Sequence, residues 1–177
     1  MKTLFLTALL LSSLTTIAQP SLIVNEKGIG DVKLDMTIAN LEALFGQPFV
    51  LKPVNGPGWS DDTTSFIYKN ALYEIILQRE VNEKGKVIRS SVYEVKCSNT
   101  AVKTKSGISI GDDKLKIITT YEGYVIRIIP VFEGSNQQTK SKTHSKIMLM
   151  TDVNKAVTFY LINNKVTAIS VGYVEGC

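Results

Sequence analysis

Two stretches of this chain, 76 residues apart, share one grammar. Leu34-Asp35-Met36-Thr37 leads into IANLEALFG, and Ile110-Gly111-Asp112-Asp113 leads into KLKIITTYEG. At that offset Val32 falls on Ile108, Leu34 on Ile110, Thr37 on Asp113, Leu41 on Ile117 and Phe45 on Tyr121. In each copy an apolar residue precedes a turn, and a side chain follows that can accept a hydrogen bond from the first helical N–H groups. Apolar residues then recur at helical spacing. Gly46 and Gly123 stand where each short helix must stop. A chain built twice must bury two weakly apolar units against one another, because neither is large enough to bury much alone.

After each helix the period changes from helical to alternating. Residues 48–51 and 64–68 read as strands. Ala71 to Val81 alternates, with Tyr73, Ile75, Leu77 and Val81 on one side and Glu74, Gln78 and Glu80 on the other. Asn82-Glu83-Lys84-Gly85 makes a turn, and 87–95 returns as a strand. In the second half the strands are expected over 124–132, 146–151, 156–162 and 165–174. Asn163-Asn164 between apolar runs predicts a two-residue hairpin, since asparagine tolerates the positive φ that such a turn needs. VYEVKC and VGYVEGC match at an offset of 80, placing Tyr93 with Tyr173 and Cys97 with Cys177. The expected fold is therefore α+β. It has two similar halves, each with short helices and an antiparallel sheet of about four strands, the helices packed on one sheet face. The halves are residues 19–98 and 107–177, joined by the polar linker 98–106, SNTAVKTKS.

The first residues predict export. Met1-Lys2 and an apolar run from Leu4 to Leu14 are followed by small residues, the pattern of a signal peptide over 1–18 with cleavage after Ala18. The run is shorter than the roughly 20 residues of a membrane span, and no later segment approaches that length without charges. No cysteine stands near the cleavage site to carry a lipid, so a periplasmic or secreted product is expected. About 159 residues remain, one ordinary domain or two small halves sharing a core. Cys97 and Cys177, the two cysteines, are expected to pair in an oxidising compartment. Closing that loop would contribute roughly 4.5 kcal/mol in the chain-entropy model.

The formal charge of +4 is spread among acids and bases and does not form the dense basic stripe that nucleic acid requires. The one basic segment, Gly134 to Lys146, holds three lysines and no acid, and reads as a solvated hairpin loop.

The pattern G-x-x-x-L-x-M-T, apolar helix, F-G-x-P, Gly30 to Pro48, resembles the short motif of the SmpA/OmlA group, the BamE-like envelope proteins. Its doubling resembles the build of β-lactamase inhibitor protein. Thr104 to Gly123 is similar to the opening of uncharacterised exported bacterial proteins. The resemblance implies a function in binding: support of outer-membrane protein assembly in one group, and blocking of an enzyme by a sheet face in the other. BamE-like proteins are lipid-anchored single units, which this chain departs from, and no family binding residue maps onto it.

Motifs for chemistry are sparse. Gly107, Gly111, Asp112 and Asp113 do not make a phosphate loop, which needs lysine and a hydroxyl where the aspartates stand. Two cysteines and the single His144 make no zinc set, the calcium-loop spacing is absent, and no metal or cofactor is expected. Lys105-Ser106-Gly107 echoes the K-[ST]-G element of penicillin-binding enzymes without the S-x-x-K nucleophile. Gly56 to Asp62, GPGWSDD, is the more suggestive loop. Its Trp59 can anchor a partner or stack on a sugar, with Asp61 and Asp62 beside it. A carboxylate pair for glycoside hydrolysis would have to come from Asp61, Asp62, Glu74 or Glu94. The leading expectation is a non-catalytic exported binding or scaffold protein meeting a protein or envelope partner. An inhibitor or small-ligand binder using the exposed sheet face is the alternative, and a carboxylate-dependent hydrolase ranks below both.

Overall fold

The computed structural model describes residues 22–54, 56–133 and 139–174. The expected signal peptide, residues 1–18, and Cys177 lie outside these. In chain order the elements are β1 (Leu22–Asn25), β2 (Gly28–Ile29), β3 (Val32–Lys33), α1 (Ile38–Phe45), β4 (Gly58–Tyr68), β5 (Ala71–Val81), β6 (Val87–Cys97) and β7 (Val102–Thr104). They continue with α2 (Lys114–Thr120), β8 (Ile126–Glu133), β9 (Thr139–Asp152), β10 (Lys155–Ile162) and β11 (Lys165–Tyr173).

The expected α+β class is corrected: the described chain is mostly β, with 59% strand against 10% helix. Seven strands form one antiparallel sheet in the order β4-β5-β6-β11-β10-β9-β8, and four make a second sheet in the order β3-β2-β1-β7. The reason is coverage. Helices of eight and seven residues bury one residue each, Leu41 and Ile117, which is too little to cover a seven-stranded face. Leu22, Val24, Ile29 and Val32 of the small sheet complete the cover, and they join Tyr73, Ile75, Val95, Phe159, Ile169 and Val171 in one core. The expected linker contributes to it as well. Within 98–106, β7 pairs in parallel with β1, Leu22 opposite Val102 and Val24 opposite Thr104. Alternate positions of a strand face opposite sides, so Val102 and Thr104 are buried while Lys103 is exposed.

The large sheet is continuous across its middle. β6 and β11 pair at Glu94↔Gly172, Val95↔Val171, Lys96↔Ser170 and Cys97↔Ile169. Beyond those four pairs the free edge of each strand is taken by the segment that precedes a helix. Asp35 N donates to Val92 O at 3.0 Å and Val92 N to Met36 O at 2.9 Å. Gly111 N donates to Val166 O at 2.8 Å and Val166 N to Asp112 O at 2.9 Å. The two segments matched in sequence therefore play one role twice, satisfying backbone groups that a split sheet would otherwise leave bare.

The helix boundaries follow their caps. Thr37 Oγ1 accepts from Asn40 N at 3.2 Å, and Asn40 Oδ1 closes the box by accepting from Thr37 N, also at 3.2 Å. Asp113 Oδ1 accepts from Leu115 N at 3.0 Å, and that bond holds the Asp113 carboxyl below its ordinary range. Gly46 ends α1 at φ 68°, but α2 ends at Tyr121, two residues before Gly123. Asn163 and Asn164 turn β10 into β11 at φ 50° and 63°. No strand forms over 48–51: Phe49 packs edge-on against Phe45 and Phe66 instead, and Glu42 Oε1 accepts from its N–H at 3.0 Å. Of the lysine-rich segment expected to be a hairpin loop, residues 139–146 belong to β9, and 134–138 lie outside the described residues.

Ile169 lies at the seam, fully buried between Cys97 and Phe159. Ile169→Ala should cost about 2–5 kcal/mol, because the cavity left in a shared core collapses only in part. Leu115→Ala, at an exposed helical position, should cost under about 0.5 kcal/mol. Urea unfolding followed by Trp59 fluorescence and by far-UV circular dichroism checks this. Two separated transitions, or equal losses in the two variants, would show that the seam does not unite the core.

Candidate functional site

One face of the large sheet is buried beneath the small sheet and the helices; the other is open. Alternation along β5 decides which residue goes where: Tyr73, Ile75, Leu77 and Arg79 point inward, while Leu72, Glu74, Ile76 and Gln78 point out. By register, Glu94 and Lys96 of β6, Ser170 and Gly172 of β11, Thr158 and Tyr160 of β10, and Lys146 and Met148 of β9 share the open face.

Tyr160 is at its centre. Its hydroxyl donates to Glu94 Oε1 at 3.1 Å, so β10 is tied to β6 across the intervening β11. That reach is possible because β11 presents only small side chains there. Ala168, Ser170 and Gly172 leave the space free, and a Cβ on Gly172 would stand 3.0 Å from Glu94 Cβ and Cγ. Two ammonium groups sit over the Tyr160 ring, Lys96 Nζ at 4.9 Å and Lys146 Nζ at 5.0 Å from its centroid. Lys96 also binds Glu74 Oε2 at 2.8 Å. Burial, and next the charge of Glu94, raise the Tyr160 phenol to about 12. It therefore stays a neutral donor at any physiological pH.

The open face leads into a cavity of about 440 Å³ at the fork where β6 and β11 part. Trp59, Gln78, Arg89, Tyr93, Tyr173 and Asp35 line it. Tyr93 and Tyr173, matched in sequence, meet here with ring centroids 5.4 Å apart. Tyr173 OH donates to Asp35 Oδ2 at 2.7 Å. Burial together with that carboxylate lifts the Tyr173 phenol to about 12.

Of the residues singled out in sequence, Trp59 is 59% exposed and borders this cavity. It does not sit in a loop, as expected, but on β4 opposite Glu80, because the edge strand extends its pairing as far as Gly58↔Val81. Strand geometry then separates Asp61 from Asp62. Asp61 is exposed on the open face, whereas Asp62 turns inward, nearly fully buried, with Oδ2 3.4 Å from Arg79 Nη2 and 2.8 Å from Lys52 N, which donates to it. Arg79 Nη1 donates to Lys52 O at 2.8 Å, so the pair fastens the segment before β4 to the sheet. Asp62 is structural, and the two neighbours do not act together. Glu74 and Glu94 do come together, around a recess of about 150 Å³ with Lys96 and Tyr160. Cys97 is buried at the end of β6, and its expected partner Cys177 lies outside the described residues. His144 Nδ1 lies 3.1 Å from Glu133 Oε1. Among the described residues no group of three or more His, Cys, Asp or Glu could hold a metal, and no helix is long and apolar enough to cross a membrane.

Sequence reasoning missed Tyr160, Lys96 and Lys146. The only signal was parity. Tyr160 follows the core residue Phe159 by one position and must face the other way.

Glu94→Gln should lower the Tyr160 phenol pKa from about 12 while leaving it above the ordinary value of 10.0, because burial remains after the charge is gone. Carbon-13 NMR titration of ring-labelled tyrosine reads the midpoint. An unchanged value would mean that the carboxylate does not face the phenol.

None of the protein-family models, curated proteins or solved structures compared with this chain matches it at a significant level.

Proposed function

We propose that the chain is an exported, non-catalytic binding protein whose open sheet face, with Trp59 at its margin, docks on a folded protein partner. The observation that carries this is the exposed Trp59, 59% accessible beside a cavity of about 440 Å³ and continuous with the open face. A large aromatic ring held on a strand, with little conformational freedom to lose, is the kind of residue that dominates interfaces. From Trp59 at one edge to β8 at the other, the face mixes Asp61, Glu74 and Glu94 with Lys96, Lys146 and Arg127, and adds apolar Ile129 and Met148. Such a mixture complements another protein surface better than it complements a uniform polyanion. A scaffold or inhibitor role, as the resemblance to binding proteins of the envelope implies, uses the same face.

A second reading rests on the cavity itself. Its volume lies in the range of small-molecule sites, roughly 300–1,000 Å³, and Gln78, Arg89, Asp35 and Tyr173 give it polar walls for a small polar ligand.

Affinity capture from an envelope fraction, repeated with purified partner, separates these readings. Trp59→Ala should weaken a protein complex by about 2 kcal/mol or more, roughly thirtyfold, with the urea midpoint unchanged. If the complex survives that substitution intact, Trp59 is no anchor and the docking proposal fails. Export has its own test: after expression in a bacterial host, the intact mass of the periplasmic or secreted product should begin at Gln19. A product that retains residues 1–18 and stays in the cytoplasm would remove the envelope from the proposal.

A further inference from the structure

At the far end of the large sheet, away from Trp59, β8 and β9 lose their register. They pair from Ile126↔Leu149 to Pro130↔Ser145 and resume at Phe132↔Lys140. Between those points β8 uses only Val131, whereas β9 uses Ser141 to His144. Pro130 brings no N–H to the ladder, so the interruption falls where pairing is weakest. Ser141, buried, holds the excess residues in a tight turn: its Oγ accepts from Thr143 N at 3.3 Å and from His144 N at 3.0 Å.

Two backbone contacts then fix what surrounds the bulge. Asn163 N donates to Thr143 O at 2.8 Å, docking the β10–β11 turn on it. Lys114 N donates to Asn164 O at 2.8 Å, which brings the start of α2 to the same place. The three elements enclose a cavity of about 210 Å³. Lys114, Lys140, Lys142, Thr143, His144 and Asn164 are in its lining, and no carboxylate is. The nearby acids are engaged: Glu133 with His144 at 3.1 Å, and Asp113 with Lys165 at 3.4 Å. Among the described residues Lys114, Lys140 and Lys142 form no ion pair.

Three lysines in the lining of one small space, with no carboxylate among the lining residues, give it a positive potential that favours an anion. Lysines supply point charges, and the hydroxyls and the Asn164 amide supply directional hydrogen bonds, the combination that suits a tetrahedral oxyanion. The volume lies below the roughly 300 Å³ at which sites for larger organic ligands begin, so the fit is to a phosphate group and not to an extended molecule. We propose that the bulge of β9, with Lys114 and the Asn163-Asn164 turn, forms a binding site for a phosphate group, either free in solution or displayed on a lipid headgroup. The site lies apart from the face assigned to a protein partner and stands or falls independently of that assignment.

The full chain is titrated with inorganic phosphate and with pyrophosphate at constant ionic strength, and nitrogen-15 NMR follows the backbone amides. Saturable shifts are expected at 140–145, 114 and 163–164. Lys140→Gln/Lys142→Gln should weaken binding roughly tenfold or more, since it removes two of the charged donors. Lys84→Gln/Lys86→Gln removes equal charge from the exposed turn at the opposite end of the sheet and should change the affinity by less than about twofold. Flotation with phosphatidylcholine vesicles, with and without phosphatidic acid, distinguishes the sources. Binding to phosphatidic acid alone assigns the site to a headgroup, and binding to the free anions assigns it to a soluble phosphate. No saturable response to any probe, or equal weakening in the two double variants, overturns the proposal. Unchanged urea midpoints exclude unfolding as the cause of a loss.

Discussion

Four residue pairs between β6 and β11 join residues 58–97 to residues 126–173 in one sheet. Val95 and Val171 face each other there, fully buried, with Ile169 and Cys97 beside them. So short a seam is held by what lies on and around it. The core beneath is shared by both parts, and the edges beyond it are occupied by the segments 35–37 and 111–114. Those segments also start α1 and α2, so helix capping and sheet continuity are the same structural event. Loss of a cap would loosen an edge of the seam as well as a helix.

The seam also shapes the open face. Because β11 carries Ala168, Ser170 and Gly172 outward, a shallow lane runs along the middle of the sheet, and Tyr160 and Glu94 bridge it. A larger residue at 172 would collide with Glu94 before it touched any ligand. Charged and aromatic groups are thus held in place by one another, with Lys96 bound to Glu74 while lying over the Tyr160 ring. Order of this kind before binding lowers the entropy lost on association. At the two ends of the sheet the conditions differ. One end opens into the fork beside Trp59, and the other is closed by the bulge of β9 and its lysines.

Much of the local structure was legible. Thr37, Asp113 and Gly46 were recognisable as caps from residue type and spacing, the alternation of 71–81 named its buried face, and Asn163-Asn164 named its turn. The fold class was not legible, because β1, β2, β3 and β7 have between two and four residues each. Strands that short carry no measurable period. β2 is held by its neighbours β1 and β3, and β7 by β1, a partner distant in sequence: Leu22 N donates to Ala101 O at 2.9 Å. GPGWSDD misled for a related reason. Its composition is that of a turn, yet an edge strand with one wet face accepts serine and aspartate, and β5 imposes the pairing. Within the candidate site, Trp59 was visible as the only tryptophan, while Tyr160 was hidden in an apolar run that reads as core throughout.

What the sequence determined by itself is local. Helix starts, tight turns and the parity of the long strands depend on residues within a few positions of one another, and backbone sterics, capping bonds and alternation act at that range. Tertiary structure decided how these pieces combine. It set the pairing of β6 with β11, recruited the N-terminal strands as cover in place of more helix, sent Asp61 and Asp62 to opposite sides, and gathered Tyr160, Glu94, Lys96 and Lys146 from three strands. The physical reason is that long-range pairing is selected by the burial of one shared apolar face. That quantity belongs to the whole chain and to no segment of it.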